Sequence, residues 1–106
     1  MTTIFTLGRR KEFDYNGNIL SGVTLHFPSG NVRIPAKLFK AILEKFDGQT
    51  IPGGFCMTAP IHGGLGEWVQ NNFNLSPKYA SHIAAILVHE GLIRSTLQGN
   101  SVFLHF

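Results

Sequence analysis

Cys56 and His62 are the one thiol and imidazole that lie close in the chain, the minimal pattern for a nucleophile with its base. Such a pair needs a third group to orient the base and donors to hold an oxyanion, and no pattern around either residue supplies them. An enzyme is therefore not expected. The five histidines raise metal binding as a second chemistry. His82 and His89 fall on one face of a predicted helix, but their i, i+7 spacing separates the rings by about 10 Å, whereas helical metal sites use i, i+4 pairs. Neither a metal nor another cofactor is expected. The glycines of `IHGGLGEW` look like a phosphate loop, yet lack the lysine of a P-loop and the glycine spacing of a dinucleotide fingerprint. Their expected role is a close-packed or flexible entry to a helix. Trp68 and the phenylalanines can stack on single-stranded nucleic acid, but their helical or alternating spacing points to core packing instead.

The cations carry the remaining chemistry. The chain has a net charge of +3, a mild attraction for phosphate. Residues 1–34 carry Arg9, Arg10, Lys11 and Arg33 against Glu12 and Asp14; from Pro35 onward five cations face four acids. Basicity is thus slightly richer near the start. Lys78 and Arg94 are candidate phosphate or base contacts, and Arg9, Arg10 and Lys11 are either an arm along DNA or a charged loop between strands.

These residues need elements to position them. The length fits one domain with a single core, and no apolar run approaches the roughly 18 residues of a membrane span. The order of charge and apolarity in `MTTIFTLGRRKEF` is not that of a secretory signal, and a lone cysteine fits a reducing compartment, so a cytoplasmic protein is expected. Residues 1–34 read as β: `IFTL`, then `EFDY` and `NIL` around an Asn16-Gly17 turn of type I′, then `VTLHF` and `NVRI` around `PSG`. A first helix is expected from Pro35 to near Gly48, with Leu38, Phe39, Ile42, Leu43 and Phe46 as its apolar stripe. A short strand `FCM` then runs into Thr58, a cap candidate for a turn at Ala59-Pro60. Leu65, Trp68, Val69 and Phe73 give a second helix its buried face. The third helix, 77–90, has Ser76 as N-cap, Pro77 at its first position and Gly91 as its left-handed stop. Ala80, Ile83, Ala84, Leu87 and Val88 line its core side, leaving Lys78, Ser81, His82, Ala85, His89 and Glu90 outward. `LIRST` and `SVFLHF` form a hairpin turning at Gly99-Asn100.

Helix, short strand, helix, turn, helix and β-hairpin is the order of the winged helix-turn-helix domain, and residues 35–106 resemble it. `LGEWVQNNFNLSPKYASHIAAILVHEGLIRS` looks like the second helix, turn, recognition helix and first wing strand of bacterial winged-helix regulators. Leu87, Gly91, Leu92 and Ile93 are similar to the helix-to-wing join of MarR-like families. The fold so implied is α+β: a winged helix-turn-helix at 35–106 with an N-terminal antiparallel β extension at 1–34, packed as one compact unit. The resemblance implies a transcriptional regulator bound to double-stranded DNA. Helix 77–90 would read the major groove through Lys78, Tyr79, Ser81, His82 and Ala85, and the wing, 92–106, would touch DNA through Arg94, Gln98 and Asn100. Arg9, Arg10 and Lys11 would add backbone contacts. With so few cations per chain a homodimer is expected, the β extension being its natural interface because sheet edges need cover. The alternative is a winged-helix protein–protein interaction module without DNA binding, which the near-neutral 35–106 segment favours.

Overall fold

Apolar residues recur at every second position through much of the first third of the chain, which puts them on one face of a sheet. The computed structural model describes residues 1–56 and 61–106. There β1 (Thr2–Phe5), β2 (Glu12–Asn18), β3 (Gly22–Phe27) and β4 (Gly30–Ile34) form an antiparallel sheet in sequential order. Its inner face carries Phe13, Tyr15, Val23, Leu25 and Ile34, all buried. The turn expected at Asn16-Gly17 lies three residues later, so of `NIL` only Asn18 is in a strand. Asn18 provides the reason: its Oδ1 accepts from the Ser21 amide at 2.9 Å and from the Ser21 hydroxyl at 3.0 Å, closing the connection over Ile19 and Leu20. Between β1 and β2, the Thr6 amide donates to the Lys11 carbonyl and the Lys11 amide to Thr6 Oγ1, both at 2.9 Å.

Pro35 caps the first helix rather than opening it, with ψ of 152°. The helix, α1 (Ala36–Lys45), buries Leu38, Phe39 and Ile42, with Phe46 just beyond its end and Gly48 in the turn that follows. The next strand, β5 (Thr50–Pro52), precedes the expected `FCM` segment. Its register explains this: Ile51 sits opposite the buried Leu104, which puts an apolar residue on the core side. Phe55 and Cys56 lie outside any strand, while Met57, the Thr58 cap and the Ala59-Pro60 turn lie outside the described residues.

Helix α2 (Leu65–Phe73) starts as expected, and Asn74 ends it in the left-handed region at φ +56°. Expected helix 77–90 divides into a 3₁₀ turn, Pro77–Tyr79, and α3 (Ala80–His89). Ser76 makes no side-chain cap; its hydroxyl is buried without a partner, and the turn closes instead through the Tyr79 amide on the Ser76 carbonyl at 3.0 Å. At the other end Gly91, at φ +76°, lets the Leu92 amide reach the Leu87 carbonyl and its own amide reach Val88, each at 3.0 Å. That pair of bonds is the Schellman arrangement.

Strands β6 (Arg94–Gln98) and β7 (Ser101–His105) join β5 in the order β5-β7-β6. Their two-residue turn is Gly99-Asn100, with Gly99 at φ +62°. The described residues are thus α+β, with three α-helices and two antiparallel sheets around one apolar cluster. Among the described residues no helix is long and apolar enough to cross a membrane.

Candidate functional site

Six consecutive apolar residues, Ile83 to Val88, occupy the middle of α3. A stripe facing a single neighbour covers little more than a quarter of a helix's circumference, so an unbroken run requires packing on several sides. That is the observed state: Ala80, Ile83, Ala84, Ala85, Ile86 and Leu87 are all buried. The N-terminal sheet supplies part of the cover. The His82 ring lies between Phe13, edge-on at 4.7 Å, and Phe27, edge-on at 5.3 Å, while Tyr79 stands 6.0 Å from Phe27.

The expected reading surface is therefore largely enclosed. Ala85 is only 4% exposed, so it is a core residue rather than a surface contact. Ser81 and His82 are half-buried and turned toward their own backbone: the Ser81 hydroxyl donates to the Lys78 carbonyl at 2.8 Å, and His82 Nδ1 lies 3.3 Å from the same oxygen. Burial lowers the His82 pKa; the Lys78 charge acts in the same direction and the bond to the carbonyl opposes it. The imidazole is thereby kept neutral at pH 7. Lys78 remains exposed, its ammonium 5.1 Å from the centre of the Tyr79 ring.

The other candidate residues lie on the β6–β7 hairpin or in the β1–β2 loop. Arg94 is exposed and paired across the ladder with His105, whose ring nitrogens lie 3.1 Å from the Thr50 hydroxyl and 2.8 Å from that of Thr96. Gln98 and Asn100 are exposed at the tip of the β6–β7 hairpin. Arg9, Arg10 and Lys11 form a loop between strands, the second of the two expected forms. That loop is docked on the hairpin: Leu7, Gly8 and Arg10 share a cleft of about 220 Å³ with Thr96, Leu97 and Val102. The Arg10 guanidinium also sits 5.4 Å above the Phe5 ring. The structure thus unites Arg10 with the hairpin, and Lys78 does not line their cleft.

Comparison with protein-family models, curated proteins and solved structures gives no match. The functional reading rests on the side chains themselves.

At the entry to α2, Gly64 and Gly66 are close-packed, whereas Gly63, at φ +80°, has open space. A Cβ on Gly66 would stand 1.9 Å from the Gly54 carbonyl oxygen, and one on Gly64 would stand 3.0 Å from that of Pro52. Glu67 fixes the same entry, taking the Gly63 amide and His62 Nδ1 each at 3.1 Å. The backbone bond first and His62 second hold its carboxyl below the usual range. His62 is thus tied to a helix start, and Cys56 is exposed. Among the described residues no group of three His, Cys, Asp or Glu is arranged to hold a metal ion. Sequence reasoning missed the aromatic cover on α3; the six-residue apolar run was the signal available.

Proposed function

We propose that the chain is a winged-helix protein–protein interaction module whose third helix is turned inward instead of being offered to DNA. The succession α1, β5, α2, α3, β6, β7 and the strand order β5-β7-β6 support the winged-helix reading. The observation that carries the function is the cover on α3. A recognition helix must bring side chains to base edges inside the major groove. Here Ala85 is buried and His82 packs against Phe13 and Phe27, so of the five candidate contacts on that helix only Lys78 is exposed. On this reading the module acts in the cytoplasm as a homodimer, and its exposed apolar side chains, Leu20 at 93% above all, serve protein contacts.

One observation favours a second reading. Arg10 shares a cleft with Thr96 and Leu97, which sets the Arg9-Arg10-Lys11 loop beside the hairpin that would be the wing. A duplex lying across that surface would meet Arg9, Arg10, Lys11 and Arg94 through its phosphates, with Gln98 and Asn100 at the hairpin tip. Fluorescence anisotropy of a labelled random duplex at two salt concentrations separates the readings. The interaction module leaves anisotropy flat even at low salt. Binding that weakens with a log–log salt slope of about −0.9 per phosphate neutralised would establish the second reading instead.

A further inference from the structure

The outward side of α1 carries charge in an ordered sequence: Lys37 and Lys40, then Glu44, with Asp47 in the turn beyond. Helical spacing keeps Lys37, Lys40 and Glu44 on one stripe, and Asp47 lines the same groove as these three. All four are exposed, and the described residues hold one ion pair within the chain, His62 with Glu67, so none of the four is neutralised internally. Beside the stripe, Ile19 and Leu20 from the β2–β3 turn, with Ala36 and Leu43, give an open groove of about 600 Å³ its apolar wall. An almost wholly exposed leucine next to an apolar groove is surface that association would cover.

We propose that this groove is a homodimer interface in which α1 packs antiparallel on α1 of a second copy about a two-fold axis. The charge order is what selects that occupant. A two-fold axis crossing the exposed face midway between Lys40 and Glu44 sets Lys37 against the second copy's Asp47 and Lys40 against its Glu44, and symmetry repeats both pairs. A parallel arrangement sets lysine on lysine and acid on acid. The surface is therefore complementary to itself in one orientation, the requirement for an isologous contact. Exposed ion pairs contribute little affinity individually, so they fix the direction, while Leu20, Ile19 and Leu43 supply the apolar contact. This interface differs from the sheet edges that the sequence suggested. It deepens the interaction-module reading by naming the partner, but its test involves no DNA, so duplex binding and self-association fail or succeed separately.

The test is sedimentation velocity of the full chain over a concentration series at low salt. A reversible monomer–dimer equilibrium is expected. Lys40→Glu and Glu44→Lys should each weaken it about tenfold by placing like charges together, and the double exchange should restore it to near the wild-type constant. Leu20→Asp should abolish the dimer and leave the unfolding midpoint unchanged at concentrations where the wild type is monomeric, since that side chain is 93% exposed. A monomer at every concentration overturns the proposal. So does a dimer that tolerates Leu20→Asp and both single charge reversals.

Discussion

The His82 ring meets Phe13 edge-on, with centroids 4.7 Å apart and planes at 72°. This contact joins the third helix to β2, the second strand of the N-terminal sheet, and it places a titratable group where charge is disfavoured. Burial lowers the His82 pKa from its ordinary value of 6.5, and Lys78 is the charged neighbour adding to the effect.

The sign of the resulting pH dependence follows from proton counting. Below 6.5 the unfolded chain binds a proton at His82 that the folded chain still refuses, so folding stability falls as pH drops from 6.5 through the lower folded value. Urea unfolding should therefore give a lower midpoint at about pH 5 than at neutrality. In His82→Asn the fall should shrink, because the substitute does not titrate. An equal fall in wild type and variant would assign the effect elsewhere; Glu67, whose pKa is lowered from 4.5, loses its contribution only at more acid pH.

The parts of this arrangement that sequence made legible are those encoded within one element. The α1 stripe of Leu38, Phe39 and Ile42, the Gly91 stop and the Gly99-Asn100 turn each depend on neighbours a few residues away. What escaped was decided across the chain. The strand went to Thr50–Pro52 because β7, 55 residues on from Thr50 to His105, offers Leu104 opposite Ile51. Asn16-Gly17 is a good turn dipeptide, yet Asn18 bonded Ser21 and set the turn later. At the candidate site, Ser81, His82 and Ala85 suit either surface or core. The rings of Phe13 and Phe27, from distant strands, cover His82, and no neighbour in sequence announces them.

Close backbone approach gives a second prediction. Gly66 lies in the first turn of α2, its amide donating to the Gly53 carbonyl at 3.0 Å, and an added Cβ would collide with backbone rather than a movable side chain. Gly66→Ala should destabilise the fold by about 1–3 kcal/mol, against no more than about 0.5 kcal/mol for the exposed Gln70→Ala in the same helix. Denaturant midpoints with unchanged slopes would measure both.

At Gly91 the constraint is conformational alone. Its φ is +76° and no atom lies within 4 Å of an added Cβ, so an alanine there meets strain without collision. Gly91→Ala should cost about 1–2 kcal/mol, and Gly91→Asn less, because asparagine tolerates the left-handed region better. Thermal unfolding of the three proteins should rank them glycine, asparagine, alanine. An alanine variant as stable as wild type would mean that the helix can end without the two bonds made by the Gly91 and Leu92 amides.

Division of the chain at residue 34 is the last matter open to direct test. The N-terminal sheet contributes Phe13, Tyr15, Val23, Leu25 and Ile34 to the apolar cluster that also holds α1 and α3. Full burial of each large apolar side chain is worth about 1.5–3 kcal/mol. Together these five amount to about 7.5–15 kcal/mol, comparable with the roughly 5–15 kcal/mol by which a whole domain is stable. Residues 35–106 made alone should thus lose cooperative unfolding and bind a hydrophobic dye, with the uncovered faces of α3 and α1 as the cause. A fragment that unfolds in one sharp transition would show that the third helix is stable without its cover. The inward-turned reading would then lose its energetic basis, because a helix that can shed its sheet can also reach a groove.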